Sequence, residues 1–215
     1  MKKLLVFASG TKDGGGSGFQ KLVESSRNGI LDAEIVAVVS NHENGGVRQK
    51  AETLGVPFVY FPLPREAEDY QKIVADTQAD FVALSGWLKL VKGLDPAKTI
   101  NIHPGPLPRF GGPGMYSHYV HEAVIKAFNA GEIKHSAVTM HFVTEEYDKG
   151  PIIFRQPVEI LAGDTPETLA ERVNKVEHEW QPRITDLVIK GEISWDGKDP
   201  ATLKIPSTVP ILDIL

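Results

Sequence analysis

The chain has 215 residues, of which 41% are hydrophobic and 24% charged, a composition suited to one substantial soluble core. A formal net charge of −5 argues against a nucleic-acid binder, which usually carries a basic face, and zero cysteines exclude disulfides and thiolate chemistry. No stretch approaches the roughly 20 apolar residues of a membrane span, and the early apolar run ends in a glycine-rich loop instead of a cleavage site, so a cytoplasmic protein is expected.

The first half alternates apolar runs with amphipathic stretches. Leu4 to Ala8 has no polar alternation and predicts a strand buried on both faces. After the loop from Gly10 to Gly18, a helix is expected with Phe19, Leu22, Val23 and Ile30 on one side. Further strands are predicted at Glu34–Ser40, Phe58–Phe61, Phe81–Ser85 and Thr99–Ile102, with helices at about Val47–Leu54 and Glu66–Gln78 between them. This alternation predicts an α/β fold with a doubly wound, mostly parallel, Rossmann-like sheet, whose ligands sit beyond the carboxyl ends of the strands.

The second half changes character. Met115 to Asn129 predicts a helix, and Ser136–Val143 with Ile152–Val158 predicts a pair of antiparallel or mixed strands. Asp164-Thr165-Pro166-Glu167 opens a long helix, with a capping carboxylate and an early proline. Its apolar face is Leu169, Val173, Val176, Trp180, Ile184 and Leu187, and Pro182 should kink it. The tail from Pro200 is expected to drape over the surface. One domain over residues 1–215 is expected.

Three features carry chemistry. The loop Ser9 to Gly18 follows the first strand, where glycines let backbone N–H groups and a helix N-terminus face an anion. It fits neither the dinucleotide nor the P-loop fingerprint, and a flexible turn is the alternative. Asn101 and His103 lie two apart on a predicted strand, so both side chains share a face, and Pro104 keeps the chain extended there. An amide and an imidazolium aimed the same way make an oxyanion site; a structural histidine is the other reading. Asp148 sharpens the first reading if it reaches His103, because a carboxylate fixes the ring and raises its basicity.

Glu177 falls inside the apolar stripe of the last helix, where a carboxylate needs a partner or a ligand; His178 points toward solvent or a rim. His118 and His121 are three apart on a predicted helix, but no third ligand has a fixed spacing to them, so no metal is expected. Lys89 directly follows the fourth strand, where ligand-contacting loops lie.

Together these segments resemble the phosphoribosylglycinamide formyltransferases, folate-dependent enzymes of purine biosynthesis. The resemblance runs through Ser9-Gly10, Ser40-Asn41, Arg65-Glu66-Ala67, Gly86-Trp87-Leu88-Lys89, Asn101-Ile102-His103-Pro104, His141-Phe142-Val143-Thr144, Asp148-Lys149-Gly150-Pro151 and Glu177-His178. It implies the formyltransferase fold, with residues 1–103 as a nucleotide-binding half and 104–215 as a folate-binding, C-terminal half. It implies transfer of a formyl group from 10-formyltetrahydrofolate to the amine of glycinamide ribonucleotide (GAR), without a metal.

By that resemblance, Asn101, His103 and Asp148 are catalytic and His141 supports them. Gly14, Gly15, Gly16, Ser17, Gly18, Arg65 and Glu177 bind GAR, and Lys89, Leu90, Val91, Val143 and Tyr147 bind folate. Asn101 and a protonated His103, kept charged by Asp148, would stabilise the tetrahedral oxyanion. The chain departs from the family at Gly18, where asparagine is common, and at Lys89, where arginine is common. Expected partners are small-molecule substrates, with no nucleic acid and no membrane, in a monomer or homodimer. The alternatives are a formyltetrahydrofolate deformylase, a methionyl-tRNA or sugar-nucleotide formyltransferase, a non-catalytic nucleotide-binding module and, more remotely, an NAD-linked dehydrogenase.

Overall fold

The computed structural model describes residues 1–212. Its seven strands are β1 (Lys2–Phe7), β2 (Ala33–Ser40), β3 (Phe58–Tyr60), β4 (Phe81–Ser85), β5 (Thr99–His103), β6 (His135–Phe142) and β7 (Ile152–Glu159). The helices are α1 (Ser17–Arg27), α2 (Gly46–Leu54), α3 (Ala67–Thr77), α4 (His118–Asn129) and α5 (Pro166–Ile189). One sheet runs in the order β3-β2-β1-β4-β5-β6-β7. Strands β1 to β5 pair in parallel, and β6 and β7 join antiparallel. The expected α/β sheet with a mixed C-terminal portion is therefore present.

Both sheet faces are covered, and the period-two alternation of strands shows how. On β1, Leu4 and Val6 enter one apolar cluster while Leu5 and Phe7 enter the other. Each is fully buried, a gain of roughly 1.5–3 kcal/mol per side chain against exposure. The larger cluster includes buried residues of α1, α4 and α5; the smaller is aromatic, with Phe7, Phe61, Tyr70 and Trp87 around α3. No helix among the described residues is long and apolar enough to cross a membrane.

Strand order reverses between β1 and β4, which opens a crevice at their carboxyl ends. The two loops there are tied together: Ser9 N–H donates to Gly86 O at 2.9 Å and Leu88 N–H to Ser9 Oγ at 3.0 Å. The register of β5 with β6 sets Asn101 opposite His141 and His103 opposite Thr139. These four side chains consequently share one face, two residues apart along each strand.

Several boundaries differ from expectation. α1 ends at Arg27, capped by Asn28, so Ile30 lies beyond the helix and is exposed rather than on its apolar side. α4 begins at His118, because Ser117 takes a positive φ of 51° that an α-helix cannot continue through. The cap of α5 is the hydroxyl of Thr165, in reciprocal contact with Thr168, whereas Asp164 is taken by Arg172 at 2.7 Å. α5 runs on through Pro182 to Ile189. The tail pairs with the edge of β7, through Arg155 N–H to Pro210 O at 2.9 Å and Leu212 N–H to Arg155 O at 3.1 Å, and so covers an otherwise open strand.

Candidate active site

A cleft of about 640 Å³ occupies the crevice. Its walls include Gly15 to Gly18, Ser85 to Leu88, Asn101 to Pro104, Gly112 to Ser117, and the α5 residues Asn174, Glu177 and Gln181.

One end carries the uncapped N-terminus of α1. Gly16 precedes α1 with φ +73°, a left-handed conformation that suits glycine, and no side chain caps the helix. The first bond into the helix is Gln20 N–H to Gly16 O, which leaves the N–H groups of the first turn to face the cleft. Gly18 is glycine for a packing reason: a Cβ there would run into Ser85 Oγ and approach Gln181 Oε1 to 3.1 Å. Gln181 is buried and accepts from Ser85 Oγ at 3.0 Å, which ties α5 to the end of β4.

The other end holds a compact proton-carrying cluster. Asp148 adopts φ 55° in the loop after β6, a conformation that aspartate tolerates better than most residues. Its Oδ2 accepts from Gly112 N–H at 2.9 Å and stands 3.8 Å from His103 Nδ1. Its Oδ1 lies 3.4 Å from His141 Nε2 and 3.5 Å from Asn101 Nδ2. Asn101 Nδ2 is itself 3.1 Å from His141 Nε2. The outer nitrogens of both rings meet carbonyl oxygens: His103 Nε2 with Phe110 O at 2.7 Å, and His141 Nδ1 with Phe142 O at 2.7 Å.

Carbonyls only accept, so both outer nitrogens carry hydrogen. The inner nitrogens face Asp148. Burial works against the Asp148 charge, but His141, His103 and the Gly112 N–H outweigh it and hold the carboxyl below its usual range. His103 goes the other way from expectation. Burial lowers its pKa, and neither Asp148 nor the Phe110 carbonyl restores it. The ring is therefore held toward neutrality in the free protein, not kept charged.

Glu177 is half-buried on the α5 wall, and burial pushes its carboxyl up to about 7; its one partner, Asn174 Nδ2, is 3.4 Å away. His178, expected at solvent or a rim, is half-buried beside it and lines the cleft, with an Nε2 that has no partner among the described residues.

The fold thus brings Gly15 to Gly18, Asn101, His103, Tyr147, Asp148 and Glu177 around one cleft, with His141 behind Asn101. It does not bring Gly14, Arg65, Lys89, Leu90, Val91 or Val143 to these walls. Arg65 folds back, donating to Phe61 O at 3.0 and 2.9 Å. Lys89 is exposed, Leu90 O accepts from Tyr70 Oη at 2.9 Å, and Val91 and Val143 pack into the aromatic cluster. Sequence reasoning missed Gln181, Asn174 and the Phe110 carbonyl. The first two lie one turn either side of Glu177, a helical spacing that marks them; a backbone carbonyl leaves no such signal.

A family model described as formyl transferase matches residues 2–185. The chain is 37% identical over 205 residues to the chloroplastic phosphoribosylglycinamide formyltransferase of Arabidopsis thaliana, covering 90% of this chain and 68% of the relative. It is 34% identical over 198 residues to the Bacillus subtilis phosphoribosylglycinamide formyltransferase, covering 86% and 93%. Among solved structures, glycinamide ribonucleotide transformylase 1 from Symbiobacterium toebii superimposes with a TM-score of 0.81 at 27% identity, over 95% of this chain and 94% of the other.

Proposed function

Because the chain belongs to the formyl transferase family, we propose that it transfers a formyl group from 10-formyltetrahydrofolate to the amine of GAR, giving N-formyl-GAR in purine biosynthesis. The observation that carries this reading is the pairing, in one cleft, of an anion-ready α1 N-terminus and Glu177 with the cluster of Asn101, His103, His141 and Asp148. The first pair suits a phosphorylated ribose; the second suits a reaction that makes an oxyanion and moves a proton.

The amine nitrogen attacks the formyl carbon, a C–N bond forms, and the carbonyl electrons move to oxygen. Asn101 directs one N–H at His141, and its second, at 3.5 Å only loosely engaged by Asp148 Oδ1, turns to that oxygen. His103 takes the amine proton at Nδ1, where Asp148 Oδ2 stabilises the resulting imidazolium. The bond between the carbon and the folate nitrogen then breaks, and that nitrogen takes a proton from the cluster. His141, with Nδ1–H fixed on the Phe142 carbonyl, presents Nε2 as the acceptor that holds the Asn101 amide in place.

Residues 1–215 act together as one unit in this reading. The nucleotide half, 1–103, is completed by Glu177 from the second half, and folate enters on the side of Lys89 to Val91 and Val143 to Tyr147. The test is formyl transfer from 10-formyltetrahydrofolate to GAR, with water and an amino-sugar nucleotide as control acceptors. Turnover confined to GAR supports the reading; turnover with water alone assigns a deformylase.

A further inference from the structure

His121 is a buried polar group on the cleft wall that this chemistry leaves unused. It lies near the start of α4, is 4% exposed, and lines the cleft with His103, Tyr116 and Asn174. Gly105 sits between α4 and His103, since a side chain there would meet both Val120 Cγ1 and His103 Nε2. The start of α4 therefore lies close to the His103 ring, at the reacting end of the cleft.

The Nδ1 of His121 is enclosed and has no hydrogen-bond partner among the described residues. Buried polar atoms are nearly always partnered, and an orphan on a residue that lines a ligand cleft is one that a ligand can satisfy once the ring turns. The residue lines the cleft, and a half-turn of the ring about Cβ–Cγ carries Nδ1 from its enclosed position to the opposite edge of the ring. Burial, with His103 and His118 nearby, brings its pKa down to about 4, so the ring is neutral at neutral pH. A neutral imidazole offers one N–H and one lone pair. That matches a neutral amine or amide and adds little for a phosphate.

We infer that His121 binds the acceptor substrate directly, its unpartnered ring nitrogen hydrogen-bonding the glycinamide arm beside the reacting amine. This rests on the formyl-transfer reading above. The cleft then divides into three: the α1 N-terminus for the phosphate, Glu177 for the ribose hydroxyls, and His121 for the neutral arm.

The test compares wild-type protein with His121→Leu and His121→Gln, measuring thermal melting and steady-state kinetics with GAR and 10-formyltetrahydrofolate varied separately. His121→Leu removes an orphaned polar atom, so it should melt at or above the wild-type temperature. Its kcat/KM for GAR should nevertheless fall about ten- to a hundredfold, the worth of one buried hydrogen bond. Its KM for 10-formyltetrahydrofolate should stay within about twofold. His121→Gln, which keeps a donor and an acceptor, should recover part of the loss. Unchanged kcat/KM in the leucine variant, or a loss shared equally by both substrates, overturns the inference while leaving the reaction intact. Wild-type protein that formylates no GAR overturns the reaction itself, and the inference with it.

Discussion

His103 Nε2 donates its hydrogen to the carbonyl of Phe110 at 2.7 Å. That contact makes Nδ1 the basic atom of the ring and turns it toward Asp148, 3.8 Å away. The Phe110 carbonyl belongs to the same loop as Gly112, whose N–H binds the other side of the pair at Asp148 Oδ2. One loop thus sets the tautomer of the histidine and the position of the carboxylate together.

Asp148→Asn removes the charge that stabilises the His103 imidazolium and puts a donor or a neutral oxygen in its place. Turnover should fall about 10²- to 10⁴-fold. GAR affinity, measured by calorimetry on the same variant, should hold within a few-fold, because Asp148 sits at the reacting end. Near-normal kcat would sink the assignment.

Asn101→Ala takes away the amide held between His141 and Asp148. Loss of one oxyanion donor should lower kcat about 10²- to 10³-fold with little change in either KM. Asn101→Asp should be no better than alanine, since it sets a second carboxylate beside Asp148. Rescue by aspartate would exclude an oxyanion role.

Glu177 gives a pH signature. Its carboxyl is raised to about 7, so between the ordinary glutamate range and pH 7 the folded protein holds a proton that the unfolded chain has released. Stability therefore falls as pH rises through that window. Hydroxyl donors prefer the carboxylate, so GAR affinity should rise with pH up to about 7, by at most about tenfold per pH unit. Glu177→Gln should flatten both trends; retention of the affinity slope in that variant would assign it to another group.

Gly150 lies two residues past Asp148, where a Cβ would collide with the carbonyl oxygen of Phe142. Phe142 N–H also bonds Pro151 O at 3.0 Å, so the strands cannot part without breaking the ladder. Gly150→Ala should cost about 1–3 kcal/mol in denaturant unfolding and reduce kcat by moving Asp148. Wild-type stability with wild-type kcat would show that the loop relaxes freely.

The β-α alternation was legible because burial on both faces writes itself into local composition. Leu4 to Phe7 read as a strand buried on both faces, and a spacing of two put Asn101 and His103 on one face of their strand. Glu177 announced itself as a charge in an apolar stripe. The edges of elements were harder to read: Ser117 halts the α4 pattern through a backbone angle that its side chain does not encode, and the tail found the β7 edge through main-chain groups alone.

Residue order therefore determined the alternation of strands and helices, the glycine-rich loop after the first strand and which residue types could do the chemistry, since periodicity and side-chain class are local properties. Tertiary structure decided their state and company. It placed His141 opposite Asn101 by strand register, buried His103 deeply enough to favour the neutral ring, and left His121 without a partner. It also withdrew Arg65, Val91 and Val143 from the cleft walls. Desolvation and hydrogen-bond direction depend on everything packed around a group, and that information is spread over the whole chain.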